Sequence, residues 1–205
     1  MGEEGAAAAL ARLDRVTRRL RKDCPWDREQ DERSIVPHTV EEAYELADAA
    51  HSGDDAKLLD ELGDVLFQVY FLSLLLEERG AGDLAAVAEH CREKLIRRHP
   101  HVFGEARSGT ADEVLRSWNR IKREDERGGE IFGRLPETLP STLYAQKVLK
   151  RAESAGFHWH PGDEPGDRLL AAVRDATEAG DDPELALRRA ADRFRLEVER
   201  EGAGR

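Results

Sequence analysis

Glu41, Glu42 and Glu45, followed by Glu61 and Asp64, are the residues of this chain whose types and spacing most directly suggest chemistry. Side chains three or four positions apart share one face of a helix. Glu42 and Glu45 therefore point the same way, Glu41 flanks Glu45, and Glu61 and Asp64 share a face of their own helix. The pairs 45/61 and 42/64 have a common midpoint at Gly53, inside the turn-forming run Ser52-Gly53-Asp54-Asp55. A hairpin folded there sets Glu45 level with Glu61 and Glu42 level with Asp64, each pair on the order of 12 to 17 Å from the turn at the helical rise per residue. Carboxylates gathered that closely repel one another and are costly to bury. Asp64, set among Leu62, Val65, Leu66 and Val69, is expected to bear most of that cost. A hard divalent cation removes the conflict. Mg²⁺, with Mn²⁺ as a substitute, takes carboxylate oxygens and water and accepts substrate phosphates as well. It also makes a bound water more acidic and a better nucleophile.

Two other readings of the acids stand beside this one. They could form a solvated helix face, because runs of Glu are common in so charged a chain. They could also serve a di-iron centre, but such bundles use Glu-x-x-His pairs, and the sequence has none. Asp48-x-x-His51 is the nearest approach and stands alone.

Cationic and aromatic partners follow. Lys94, Arg97 and Arg98 fall on neighbouring faces at the end of one helical segment, where they either offset the helix dipole or bind phosphates. Trp118 and Lys122 are four apart, so they could stack on a base and contact a phosphate together. Trp118 could equally be a core residue. Lys57, just ahead of the Glu61 face, is a further phosphate candidate. His38, His90, His99 and His101 are dispersed and read as structural. Trp26, next to Pro25, reads as a core plug rather than a base platform.

The elements that must position these residues are helices. Charged residues make up 37% of the chain, hydrophobic residues 40% and aromatics only 6%, a mix that favours helix over sheet. Residues 1–9 read as a flexible tail. Leu10, Leu13, Val16 and Leu20 then recur at helical spacing until Cys24-Pro25-Trp26-Asp27 interrupts them. A second helix is expected from Pro37, with Thr39 as its cap, to Ala50, and a third from Ala56 through Leu76. Others are expected over 84–98, 111–127, 141–155, 167–179 and 183–201, with loops at 104–110 and 156–167. No segment alternates as a strand, so the class is all-α. The organisation expected is a tail at 1–9, a catalytic domain at 10–127, a linker at 128–140 and a C-terminal region at 141–205.

The net charge of −11 disfavours nucleic acid and anionic membranes as partners. Residues 1–9 lack the pattern of a signal peptide, and the apolar run 65–76 is too short to span a bilayer. Two distant cysteines, Cys24 and Cys91, make no disulfide framework and point to a reducing cytoplasm.

The residues resemble a known family. Glu41-Glu42-x-x-Glu45, fifteen intervening residues and Glu61-x-x-Asp64 look like the signature of the MazG nucleoside triphosphate pyrophosphohydrolases. Cys24-Pro25-Trp26-Asp27, the stretches 61–68 and 94–103, Trp118 to Lys122, and Ala145-Gln146-Lys147 share the resemblance. Gly156-Phe157-His158-Trp159 resembles the start of that family's second half. The resemblance implies a four-helix-type, Mg²⁺-dependent, usually dimeric enzyme that converts a broad set of ribo- and deoxyribonucleoside triphosphates to monophosphate and pyrophosphate. It makes Glu42, Glu45, Glu61 and Asp64 metal ligands and Glu41 the residue that orients a water or helps bind a second metal. Lys94, Arg97, Arg98 and Lys122 would hold phosphates, and Trp118 the base. Two-domain members repeat the module. Here the repeat is shortened and lacks both the acids and the basic pair, so residues 141–205 resemble a catalytically dead remnant. Two rival functions remain at this stage: an enzyme narrowed to dUTP or damaged nucleotides, and a non-catalytic helical partner protein with a structural metal.

Overall fold

The computed structural model describes residues 3–104, 110–127 and 130–202. Among the described residues there are ten helices and no strand, so the class is all-α as expected. The chain divides into two compact units, Met1–Arg97 and Arg98–Arg205. That division falls at the end of a helix, ahead of the linker expected at 128–140. Of that linker, Gly128 and Gly129 lie outside the described residues, as do 105–109 of the loop expected at 104–110.

The first unit contains α1 (Glu3–Asp23), α2 (Pro25–Glu29), α3 (Glu32–Ser52), α4 (Asp55–Glu78) and most of α5 (Leu84–Arg98). The expected tail is helical from Glu3. Ala6–Ala9 supply the best helix formers there. Cys24 interrupts the chain in extended backbone, and Pro25 then opens α2 from its first turn. Helix α3 starts at Glu32, earlier than the expected Pro37. Asp31 and Ser34 form a reciprocal capping box that begins the helix there and leaves Pro37 inside it. Thr39 is therefore no cap. Its hydroxyl donates to the Ile35 carbonyl at 3.4 Å instead.

The turn between α3 and α4 forms where the turn-residue cluster placed it. Gly53 ends α3 with φ of 70°, a left-handed conformation that glycine adopts without strain. Asp54 then caps α4, accepting from the backbone N–H groups of Ala56 and Lys57. Two residues thus reverse the chain and bring α3 and α4 into their extensive contact. Behind them Ile35, Phe71 and Leu75 form the core, with Phe67 and Leu72 packed against it. Helix α1 closes over α4 with a bidentate Arg18–Glu77 pair and an Arg21–Glu78 pair. Arg21 also donates to the carbonyls of Asp27 and Gln30 and lies over the Phe71 ring, so it ties α2 to the same core.

The second unit contains α6 (Pro100–Phe103), α7 (Ala111–Arg127), α8 (Ser141–Glu153), α9 (Pro165–Glu178) and α10 (Pro183–Gly202). Helices α8, α9 and α10 pack on one another, and Val173 is buried among them. Thr142 donates to Glu184, and Gln146 donates to Thr177 at 3.3 Å. Among the described residues no helix is long and apolar enough to cross a membrane.

Candidate metal and phosphate site

Helix α3 carries Glu42 and Glu45 on one face, and α4 sets Glu61 opposite them. One carboxylate oxygen from each of the three lies within 4.8 Å of the others. Glu45 is exposed, Glu42 is half-buried and Glu61 is buried. The register expected from Gly53 is visible in the charges. The charge that weighs most on Glu61 is Glu45, and the one that weighs most on Glu42 is Asp64. Burial, followed by these neighbours, holds both the Glu42 and the Glu61 carboxyl above the ordinary carboxylate range. Lys57, one turn earlier on α4, opposes the shift at Glu61.

The desolvation cost falls elsewhere than expected. Asp64 is exposed, as are its neighbours Leu62 and Val69, whereas Glu61 is only 8% exposed. Helix α4 is apolar on more sides than α3 and α1 can cover, and Asp64 lies toward an uncovered one. Asp64 also stands outside the close group of three acids. The Oε2 of Glu61 is buried with no hydrogen-bond partner. A buried, unpaired carboxylate oxygen beside two further carboxylates is an arrangement that a cation relieves. The all-oxygen donor set is of the kind preferred by hard divalent ions. Glu41 is exposed, with its carboxylate 3.7 Å from Nδ1 of His38.

On α5, Lys94 is half-buried and Arg97 exposed. Arg98 begins the second unit. It is buried, donates to Asp125 at 3.3 Å and lies over the ring of Trp118. The Nζ of Lys122 stands over the same ring, 4.8 Å from its centre. Trp118 is half-buried and meets two cations.

Trp26 corrects another expectation. It is 53% exposed, so it plugs no core in this chain. Its ring meets His38 edge-on at 6.0 Å, and His38 stands one helical turn ahead of Glu42. The residue of that motif that is buried is Asp27. The four-residue spacing from His38 to Glu42 was the available signal that His38 belongs to the acidic face.

The model of the MazG nucleotide pyrophosphohydrolase domain matches residues 30–103. The nucleoside triphosphate pyrophosphohydrolase of Escherichia coli K12 is 34% identical over 96% of this chain and 89% of its own length. The chain belongs to the MazG family. It is a hydrolase of that family. The MazG match contains the whole α3–α4 hairpin with its acids, together with Lys57, Lys94, Arg97 and Arg98, and it ends before Trp118 and Lys122. A Thermotoga maritima protein named nucleoside triphosphate pyrophosphohydrolase/pyrophosphatase MazG is 34% identical over 79% of this chain and 63% of its own. A 26.1 kDa Streptomyces cacaoi protein encoded in the blaB 3′ region is 39% identical over 92% of this chain and 80% of its own.

Proposed function

We propose that this MazG chain hydrolyses ribo- and deoxyribonucleoside triphosphates to a nucleoside monophosphate and pyrophosphate with Mg²⁺, as broad housekeeping of the cytoplasmic nucleotide pool. The observation that carries the reading is the buried, unpartnered Oε2 of Glu61 within a group of three carboxylates. Glu42, Glu45 and Glu61, with Asp64 beside them, would hold the metal, and Mn²⁺ suits the same oxygens. Bound there, the cation neutralises the triphosphate and acidifies water for attack. Glu41, exposed at the edge of the group and close to His38, orients the attacking water and accepts its proton. Lys57, Lys94 and Arg97 are the phosphate-binding candidates of the first unit. The family resemblance adds Arg98 and Lys122 for phosphate and Trp118 for the base.

Pyrophosphate release is the test, measured on a panel of triphosphates with and without Mg²⁺. Wild type should turn over several of them only with the metal, and Glu42→Gln, Glu61→Gln and Asp64→Asn should be severely impaired. Equal rates in wild type and variants would remove the enzymatic reading. Turnover of dUTP or of one damaged nucleotide alone would replace the broad assignment with a narrow one.

The catalytic work is assigned to the first unit, because residues 141–202 lack an equivalent acid set. Leu59, Leu62 and Val69 of α4 are 74%, 49% and 40% exposed. Apolar exposure of that extent on the hairpin supports a homodimer that covers it.

A further inference from the structure

Helix α8 carries two adjoining stripes. Gln146, Leu149, Lys150 and Glu153 recur at helical spacing along one, and Lys147, Lys150, Arg151 and Ser154 along the other. Each stripe borders a cavity. The first, about 400 Å³, is also lined by Phe157 and Trp159 from the following loop and by Arg174 and Thr177 from α9. The second, about 280 Å³, is bordered by Lys122, Lys147, Lys150 and Arg151 against a single carboxylate, Glu153. Lys150 and Glu153 border both, so an aromatic cavity and a cationic one share a wall.

The rings reach the cavity because of how α8 ends. Gly156, at φ of 83°, takes the left-handed position of a Schellman turn, with Phe157 N–H bonded to the Ala152 carbonyl at 3.0 Å. The chain turns back there, and Phe157 is left 59% exposed. Trp159 is half-buried, with the Arg174 guanidinium 5.8 Å from its ring centre. Gln146 and Thr177 add an amide and a hydroxyl to the same wall.

Lys147, Lys150 and Arg151 stand three and four positions apart, where like charges repel. Arg151 donates to the carbonyls of Phe132 and Arg134. Neither Lys147 nor Lys150 has an ion-pair partner among the described residues, although acids outnumber bases by 43 to 32 in the sequence. Lys150 and Arg151 lie in the last turn of α8, where they offset its dipole. Lys147 lies a turn earlier, and the dipole accounts for neither aromatic ring.

We propose that the second unit holds a nucleotide site of its own, in which a nucleobase stacks on Phe157 and Trp159 and a polyphosphate chain lies along Lys147 and Lys150. Planar rings take a base face of any identity, and a fixed row of cations suits several phosphates in series. A unit that carries this cavity without the acid set of the first unit would bind nucleotides rather than hydrolyse them. The same chemistry could be met by substrate triphosphate or by product pyrophosphate, and the aromatic half favours the former.

The experiment is calorimetric titration of the full chain in EDTA, so that the acidic site is deprived of metal and variants at Trp159 and at Lys147/Lys150 locate the binding that remains. The probes are α,β-methylene-ATP, adenosine, inorganic pyrophosphate and a short oligodeoxynucleotide. Saturable binding of one analogue per chain is expected, with adenosine and pyrophosphate about tenfold or more weaker. Trp159→Ala and the double variant Lys147→Ala/Lys150→Ala should each weaken it about tenfold, while Trp159→Phe retains it. Absence of saturable binding, pyrophosphate binding as tightly as the analogue, preference for the oligonucleotide, or unaltered affinity in the variants would overturn the proposal. If circular dichroism shows Trp159→Ala unfolded, the surface lysine variant decides.

Discussion

Glu61 on α4 and Glu45 on α3 present carboxylate oxygens within 4.8 Å of each other, one side chain buried and the other exposed. In water two such groups would separate. Here they are held together by a two-residue turn and by a core on the far side of the hairpin. Fold stability is thereby spent on holding a charge conflict in place.

Relief of that conflict should be measurable without activity. The Glu61 carboxyl has a raised pKa, so in metal-free protein the native state binds more protons than the unfolded chain just above the ordinary carboxylate range. Its contribution to stability therefore falls as pH rises through that window. Glu61→Gln should raise the metal-free melting temperature at pH 7 and abolish the further rise that Mg²⁺ gives wild type. The same variant should lose on the order of 100-fold or more in turnover, since even groups behind a metal's direct ligands commonly cost 10- to 100-fold. An unchanged Mg²⁺-induced shift in melting temperature would refute the role of Glu61.

Glu77 and Glu78 behave oppositely. Hydrogen bonds from Arg18 and Arg21 hold their carboxyls below the usual range. The stability they contribute is present above the unfolded carboxylate pKa and is lost as pH falls through their lower, folded values. Glu77→Gln/Glu78→Gln should therefore destabilise the chain at pH 7 more than at pH 3, read as urea midpoints at the two pH values.

Gly53→Ala tests the turn. A Cβ there would meet no atom within 4 Å, so the whole cost is the positive φ of 70°. That cost should be about 1 kcal/mol, seen as a lower urea midpoint with an unchanged slope.

Phe71 and Trp26 make a contrasting pair. Phe71 is fully buried, and Phe71→Ala should cost roughly 3–5 kcal/mol. Trp26 is 53% exposed, and Trp26→Ala should cost about 1 kcal/mol or less, since little packed volume is removed. Thermal unfolding of the two variants side by side is sufficient to check this.

Local rules written in the sequence determined the helical class, the turn at Gly53 and the pairing of 45 with 61 and 42 with 64. Helical periodicity, a left-handed glycine and a capping aspartate need only near neighbours. Even there α1 and α3 start earlier than composition and Pro37 imply, because Ala6–Ala9 and the reciprocal cap of Asp31 and Ser34 outweigh a tail-like composition and a proline. What only the tertiary structure decided was which side of α4 the neighbouring helices cover. Periodicity marks α4 as apolar nearly all round, and only packing against α3 and α1 selects the side that loses water. That selection buried Glu61 and exposed Asp64, and the packing of α2 left Trp26 open beside His38.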